Sequence, residues 1–182
     1  MGRMLLVRHC ESMGQQPDAA LTASGAAAAV ALAGPLAAFQ PDAIYSSPYR
    51  RAMATVEPYA ARSGQDVRTD MRLSERVLSE EPLDDWLAHL NRSFEDGDYR
   101  LPTGESLNQA QARGLAALLD IATAGHRLPV IASHGNLISA LLRSVDPAFG
   151  FEDWRTLRNP DLFELTHAGG RLVAFVRINL SG

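Results

Sequence analysis

Short apolar runs alternate along this chain with longer segments of helical composition. Each run is three to seven residues long and is bounded by polar or turn-forming residues, which is typical of strands in a buried sheet. The predicted strands are 4–7, 43–45, 67–69 and 128–132, followed by a terminal hairpin of 163–166 and 172–178 around Ala168-Gly169-Gly170. The segments between these strands are therefore the candidate helices.

The predicted helices begin at recognisable capping residues. Thr22 precedes an alanine-rich helix over about 23–39, in which Gly34-Pro35 is expected to introduce a break or a kink. Ser106 and Gln109 have the spacing of a capping box before a helix that runs to about Ala124. The remaining predicted helices run from Pro48 to about 61, over about 83–94, and from the end of the 128–132 strand to about 145.

The alternation of strands and helices predicts the fold class. Strands joined by helices form a parallel sheet with a helical layer on each side, so we predict a three-layer α/β/α sandwich with a mostly parallel central sheet. No internal repeat or linker interrupts the chain. We therefore predict one domain over residues 1–182, with a small helical cap region at about 76–103.

The composition and net charge limit which cellular compartment and which binding partners we expect. The net charge is −4, so neither nucleic acid nor an anionic membrane is an expected partner. The single cysteine, Cys10, excludes an internal disulfide framework and a multi-cysteine zinc site. The apolar run at the N-terminus is too short for a signal peptide, and no stretch is long enough to span a bilayer. We predict a cytoplasmic protein.

All 17 basic residues are arginine, and this bears on the chemistry. The absence of lysine excludes Schiff-base catalysis and a Walker-type phosphate loop. Arginine remains well suited to binding phosphate, because its guanidinium fork can donate two parallel hydrogen bonds. Anion chemistry at this protein therefore depends on arginine and histidine.

Two predicted strands end in histidine, at Arg8-His9 and at Ser133-His134, and a third leads through Ser46-Ser47-Pro48 to Arg50-Arg51. Ligands of open α/β sheets bind beyond the carboxyl ends of the strands. If these strands are neighbours, two histidines and at least two arginines converge on one point. Such a pocket favours a dianion, and a phosphoryl group fits it because its oxygens need several donors at once.

These residues also lie in motifs that resemble the histidine phosphatase superfamily, branch 1, the phosphoglycerate mutase-like group. The resemblance covers nearly the whole chain and rests on six motifs in order. They are Leu6-Val7-Arg8-His9-Cys10-Glu11-Ser12, Leu21-Thr22 with Gly25, Ser46-Ser47 with Arg51-Ala52 and Thr55, Leu73-Ser74-Glu75, Gly104-Glu105-Ser106 with Arg113, and Ser133-His134-Gly135-Asn136.

The resemblance implies a catalytic role for five residues. His9 attacks phosphorus and becomes phosphohistidine, Arg8, Arg51 and His134 hold the phosphoryl oxygens, and Glu75 is the general acid and base. It further implies that Ser12, Gly135 and Asn136 bind phosphate or substrate. No metal and no cofactor are expected, the substrate is a small-molecule phosphomonoester, and a homodimer stays open.

Three features of the sequence leave alternatives. Cys10 stands where the family usually has glycine, and its side chain is expected to crowd the pocket mouth or to change the turn. A cysteine-phosphatase loop starting at His9-Cys10 is rejected, because the arginine that such a loop requires would fall at position 16, which is Gln16.

Two further positions leave alternatives. Gln15 stands where the family often has a phosphate-binding asparagine, and it is not expected to bind phosphate. Glu80 and Glu81 are the nearby alternatives to Glu75 as the acid.

The acid-rich segment 76–103 is the basis for predicting which phosphoryl-transfer reaction the protein catalyses. Seven acidic residues there outnumber three arginines and would repel a compact polyanion, so we predict a phosphomonoesterase rather than a mutase. The alternatives are a phosphoglycerate mutase-type phosphotransferase and a non-catalytic phosphate-binding scaffold on the same fold. The other three histidines, His89, His126 and His167, are predicted to be surface residues.

Overall fold

The computed structural model describes residues 1–180 and contains one six-stranded sheet flanked by helices. In chain order the strands are β1 (Gly2–Arg8), β2 (Ala43–Ser46), β3 (Val67–Thr69), β4 (Pro129–Ser133), β5 (Asp161–Ala168) and β6 (Arg171–Ile178). The helices are α1 (Ala23–Phe39), α2 (Arg50–Ser63), α3 (Trp86–Glu95), α4 (Leu107–Thr123), α5 (Gly135–Arg143) and α6 (Phe151–Arg155).

The order of strands in the sheet is β3-β2-β4-β1-β5-β6. The first four strands of that order are parallel, and the hairpin of β5 and β6 joins antiparallel to β1. The predicted α/β/α fold with a mostly parallel sheet is therefore confirmed. Because β2, β4 and β1 are parallel neighbours, their carboxyl ends lie at the same edge of the sheet.

Each face of the sheet has its own apolar core. On β1, Met4 and Leu6 pack with the core under α4 and α5, whereas Leu5 and Val7 pack with the core under α1 and α2. Alternate residues of a strand point to opposite faces, so a strand buried on both sides is apolar throughout. This double burial explains why the run before Arg8 contains no polar residue.

Of the break or kink predicted at Gly34-Pro35, the break is not found, because α1 continues through Pro35. Proline removes one helical N–H and leaves the carbonyl of Ala31 without its usual partner. Ala31, Gly34 and Pro35 are all exposed. Water can therefore take over the lost hydrogen bond, while Leu36 is fully buried and anchors the helix.

Both predicted helix caps with side-chain donors or acceptors are present. Thr22 accepts a hydrogen bond from the amide of Gly25 at 2.9 Å. Ser106 and Gln109 form the reciprocal capping box, with hydrogen bonds of 3.1 and 2.9 Å. Pro48, in contrast, precedes the N-cap residue Tyr49 and is not in the first turn of α2.

The predicted cap region at 76–103 contains α3, which is shorter than predicted and rests on α6. The rings of Trp86 and Trp154 meet edge to face at 6.0 Å, and those of Phe94 and Phe151 lie 6.4 Å apart. Neither α6 nor a single 3-10 turn at Met71–Leu73 was predicted, because helical periodicity is not visible in such short elements. No helix within residues 1–180 has the length and apolarity needed to cross a bilayer.

Candidate active site

The carboxyl ends of β1 and β4 bring the two motif histidines together. Arg8 on β1 is the register partner of Ser133 on β4, so the residues that follow them, His9 and His134, leave the sheet side by side. Their ring centroids lie 5.1 Å apart with the ring planes at 60°. The convergence expected from the sequence is present in the structure.

The two ring nitrogens of His9 have different roles: one donates to the main chain, and the other carries a lone pair. Its Nδ1 lies 2.7 Å from the main-chain oxygen of Cys10, which can only accept, so Nδ1 carries the ring hydrogen and Nε2 carries a lone pair. Nε2 accepts a hydrogen bond from Nε of Arg51 at 3.2 Å. Burial, with smaller contributions from Arg51 and Arg8, lowers the pKa of His9 to about 4. The imidazole is therefore neutral at neutral pH, with Nε2 as its nucleophilic atom.

Arg51 lies in the first turn of α2 and is fully buried. One guanidinium nitrogen, Nη1, donates to the main-chain oxygens of Gln15 and Gln16 at 3.1 and 2.9 Å. The other, Nη2, is buried and has no hydrogen-bond partner in the described part of the chain. Burial lowers the pKa of Arg51, partly offset by the charge of Glu75, and the group stays cationic at neutral pH. A charged donor is thus left free beside His9.

Arg8 leaves a second free donor. Its Nη1 donates to the main-chain oxygen of Leu157 at 2.8 Å, and its Nε is buried without a hydrogen-bond partner among residues 1–180. Burial lowers its pKa, and the charges of Glu75 and Asp161 oppose that effect. Unsatisfied buried donors are costly in a folded protein, so two of them on cations around one histidine point to an anionic ligand.

His134 is the N-cap residue of α5 and supplies a further polar group. Its Nε2 lies 2.7 Å from the hydroxyl of Ser47, which itself accepts a hydrogen bond from the amide of Tyr49. When the hydroxyl donates to Nε2, the ring hydrogen is on Nδ1, a buried atom without a partner in residues 1–180. Burial, followed by the charges of His9 and Arg51, lowers the pKa of His134 well below its usual range.

The side-chain carboxylate of Glu75 lies at the N-terminus of α5. This carboxylate accepts hydrogen bonds from the amides of Asn136 and Leu137 at 3.1 and 3.0 Å, and from the amide of Arg76 at 2.8 Å. Burial raises the pKa of Glu75, against the opposing effects of these amides and of Arg8. A carboxyl group with a raised pKa is suited to exchanging a proton. The alternatives, Glu80 and Glu81, are exposed.

The predicted binding residues have different surroundings. Gly135 starts α5 where a Cβ would lie 3.1 Å from the guanidinium carbon of Arg8, so glycine makes room for that cation. Asn136 holds Glu75 through its main-chain amide, and the side-chain oxygen of Asn136 is buried without a partner in the described chain.

The other two residues lie in the loop after β1. Ser12 donates its hydroxyl to the main-chain oxygen of Gly14 at 3.0 Å and so shapes this loop. The side chain of Gln15 is exposed, and its main chain holds Arg51 instead.

The change of turn expected from Cys10 is not found. Its side chain is fully buried, and its φ is not positive, since Gln40 is the only described non-glycine residue with a positive φ. The turn therefore does not need glycine. The amide of Cys10 donates to the hydroxyl of Thr55 at 2.9 Å, which ties this turn to α2.

The three further histidines, predicted to be surface residues, are each partly exposed. His89 lies 2.6 Å from the hydroxyl of Tyr99, and His126 lies 3.0 Å from the hydroxyl of Tyr45. His167 packs against Gly2, where a Cβ would lie 2.4 Å from its ring. A tyrosine hydroxyl gives the ring of His89 and that of His126 a hydrogen-bond partner, so each ring can be partly buried. Each histidine is separated from its tyrosine along the chain, so the sequence alone does not show the pairs.

One polar residue of the site was missed. Asn159 donates from its side chain to the main-chain oxygen of His9 at 2.7 Å. Asn159-Pro160 reads in sequence only as a turn signal. Within residues 1–180 no group of three or more His, Cys, Asp and Glu side chains is arranged to hold a metal ion.

Comparison with known proteins decides the family. The family model described as the histidine phosphatase superfamily (branch 1) matches residues 4–179. The chain belongs to this family. The predicted resemblance is thereby confirmed over nearly the whole length of the histidine phosphatase chain.

Relatives of this histidine phosphatase are named as phosphatases. A candidate phosphoserine phosphatase from Hydrogenobacter thermophilus is 31% identical over 157 residues, 78% of this chain and 77% of the relative. A glucosyl-3-phosphoglycerate phosphatase from Mycolicibacterium vanbaalenii is 32% identical over 166 residues, 76% of this chain and 72% of the relative.

A solved structure gives the same result for the fold. A mycobacterial glucosyl-3-phosphoglycerate phosphatase in complex with inorganic phosphate superposes with a TM-score of 0.79 at 26% identity, covering 98% of this chain and 96% of that chain. The phosphatase class predicted from the sequence is confirmed at the level of the family.

Proposed function

We propose that this protein hydrolyses phosphomonoesters through a phosphohistidine on Nε2 of His9, with Glu75 as the general acid and base. The observation that carries the proposal is the state of His9: its Nδ1 is held by a main-chain oxygen, and its Nε2 points a lone pair toward Nε of Arg51. Arg51, Arg8 and His134 each carry a buried nitrogen that has no hydrogen-bond partner within residues 1–180.

In the first step Nε2 attacks phosphorus, so that a P–N bond forms while the P–O bond to the alcohol breaks. The leaving oxygen takes the proton of Glu75, whose pKa is raised by burial. The imidazole becomes positively charged, and the oxygen of Cys10 stabilises that charge through the Nδ1 hydrogen. Arg8, Arg51 and His134 bind the phosphoryl oxygens.

In the second step water attacks the phosphohistidine. The Glu75 carboxylate takes a proton from the water, the O–P bond forms as the P–N bond breaks, and phosphate leaves with His9 neutral again. Two displacements at phosphorus, the first by Nε2 of His9 and the second by water, replace one difficult direct displacement. The guanidinium groups of Arg8 and Arg51 supply the positive charge that both steps need, so the proposed reaction requires no metal.

The charge of the cap region favours hydrolysis over mutase activity. Its seven acidic residues are all exposed: Glu80, Glu81, Asp84, Asp85, Glu95, Asp96 and Asp98. Of its three arginines, Arg76 is buried and bound to the main chain of Glu105 and to Ser93. Only Arg92 and Arg100 then offset the acids, so the surface disfavours a compact polyanion such as a bisphosphate.

The substrate we propose is a small phosphorylated organic molecule. Phosphoserine and glucosyl-3-phosphoglycerate are the first compounds to assay, since relatives carry those names. We further propose one domain with residues 76–103 as a cap over the site, in which α3 is anchored to α6 by its aromatic side chains.

Hydrolysis of p-nitrophenyl phosphate in the presence of EDTA tests the proposal, with His9→Ala as the matched variant. We expect turnover by the wild type and its loss in the variant. Equal rates in the two proteins would overturn the enzyme proposal, and phosphate binding without turnover would favour the non-catalytic scaffold. Mutase activity on phosphoglycerate that exceeds hydrolysis would favour the phosphotransferase.

A further inference from the structure

The loop between α6 and β5, residues 156–160, contacts two residues of the site at once. The main-chain oxygen of Leu157 accepts from Nη1 of Arg8 at 2.8 Å, and that of Arg158 lies at 3.5 Å from the same atom. Asn159 donates to the main-chain oxygen of His9 at 2.7 Å. One short loop therefore fixes both a phosphate-binding cation and the backbone of the nucleophile.

An ion pair between the buried Asp161 and the partly exposed Arg177 holds both ends of this loop. Asp161 is 2% exposed, and its carboxylate accepts from Nε and Nη2 of Arg177 at 3.0 and 2.6 Å. The same carboxylate accepts from the amide of Arg158 at 3.0 Å. Nη2 of Arg177 also donates to the main-chain oxygen of Thr156 at 2.7 Å. The planar guanidinium thus binds the start of the loop and the aspartate that follows it.

The direction of Arg8 follows from this arrangement. Asp161 is the register partner of Arg8 in the pairing of β1 with β5, so the loop ends beside the residue that it positions. With Nη1 bound to Leu157, Nε remains buried and unpaired among the described residues, and Gly135 leaves space on the guanidinium face. A guanidinium is rigid and planar, so fixing one nitrogen restricts the direction of the others.

We infer that Asp161 and Arg177 are positioning residues of the phosphate site: their ion pair sets the conformation of the 156–160 loop, which aims Arg8 at the phosphoryl group and fixes the His9 main chain. The inference rests on the proposed function and extends it to the outer strand β6, which carries Arg177. Neither residue contacts the phosphoryl group in this account, so both act through Arg8 and His9.

The competing explanation is that the pair only stabilises the terminal hairpin. Arg3→Met is the matched control, because it removes another ion pair to β5, between Arg3 and Glu164 at 3.2 Å, without touching the loop. The test compares Arg177→Met, Arg177→Lys and Asp161→Asn with this control. Isothermal titration with inorganic phosphate gives Kd without turnover, assays with p-nitrophenyl phosphate give kcat and KM, and thermal melting reports folding.

We expect Arg177→Met to bind phosphate about tenfold to a hundredfold more weakly, since losing the alignment of one hydrogen bond to a charged group has an effect of about that size. Arg177→Lys, which keeps the charge but not the fork, should recover part of this loss, and Arg3→Met should bind phosphate as the wild type does. If Asp161→Asn or Arg177→Met does not fold, Arg177→Lys decides the question.

A folded Arg177→Met or Arg177→Lys protein with the Kd of the wild type would overturn the inference. So would an equal loss of phosphate binding in Arg3→Met, because the effect would then follow stability alone. A wild type that binds phosphate without hydrolysing any ester would refute the proposed function, whereas the Kd comparison would still test the positioning role.

Discussion

Arg51 donates from Nε to Nε2 of His9 across 3.2 Å, so the cation contacts the atom that we propose as the nucleophile. This hydrogen bond must yield when Nε2 attacks, and the guanidinium then becomes available to the incoming oxygens. The nucleophile is thus kept neutral and oriented until a phosphoryl group replaces it as the partner of Arg51.

Replacing Arg51 by lysine removes the planar fork while keeping the charge. We expect kcat/KM for p-nitrophenyl phosphate to fall by about 10²–10³, the usual effect of losing a preorganised donor to a developing anion. Arg50→Lys is the control, because Arg50 is the exposed neighbour on the same helical turn. Similar losses in the two variants would contradict a specific role for the planar fork of Arg51.

Replacing Glu75 by glutamine removes the proton donor but preserves the shape. We expect a loss of about 10²–10⁴ in kcat on an alkyl phosphate, whose leaving group needs a proton. The loss on p-nitrophenyl phosphate should be smaller, because nitrophenolate leaves without one. Glu80→Gln, an exposed carboxylate of the same segment, should match the wild type. A loss that is the same for both substrates would remove Glu75 from the role of acid.

Stability should depend on pH through the buried histidines. The folded-state pKa of His9 is about 4, below its ordinary value of 6.5, so between these values the unfolded chain binds more protons. The free energy of unfolding therefore falls as pH decreases from 6.5 to 4, by up to about 3 kcal/mol for His9. Urea unfolding at a series of pH values measures this slope.

His9→Asn should flatten that slope relative to the wild type. Burial raises the pKa of Glu75, which contributes in the opposite direction, so the difference between variant and wild type is the informative quantity. Parallel curves for the two proteins would show that His9 is not buried in its neutral form.

Cys10 should be unreactive in the folded protein. Its side chain is fully buried, and burial raises the pKa of the thiol to about 11, so little thiolate exists at neutral pH. We expect iodoacetamide to label Cys10 in urea but not in the native state, as measured by mass spectrometry. Cys10→Gly, which restores the usual family residue, should retain kcat/KM. Rapid native labelling with loss of activity would place the thiol in the pocket.

The sequence showed that two strands end in histidine, but it did not state the order of the strands. The meeting of His9 and His134 was therefore predicted only on the condition that their strands are neighbours, because the carboxyl ends of neighbouring parallel strands lie at one edge of the sheet. The capping box of Ser106 and Gln109 was readable, since it depends on local spacing alone.

Other parts depend on main-chain directions in irregular loops. The oxygens of Gln15, Gln16 and Leu157 orient both arginines, yet any residue type can supply a main-chain oxygen. Asn159 and the pair of Asp161 with Arg177 likewise act through the tertiary structure. The helix α1 can continue through Pro35 because this part of the helix is exposed to water, and the local sequence does not show that exposure.

Trapping the phosphoenzyme tests the central claim most directly. The wild type is mixed with a phosphomonoester, quenched in alkaline denaturant to preserve P–N bonds, digested and mapped by mass spectrometry. The account predicts an acid-labile phosphoryl group on His9, which His9→Ala lacks. Phosphate found on another residue, or turnover that continues in His9→Ala, would contradict it.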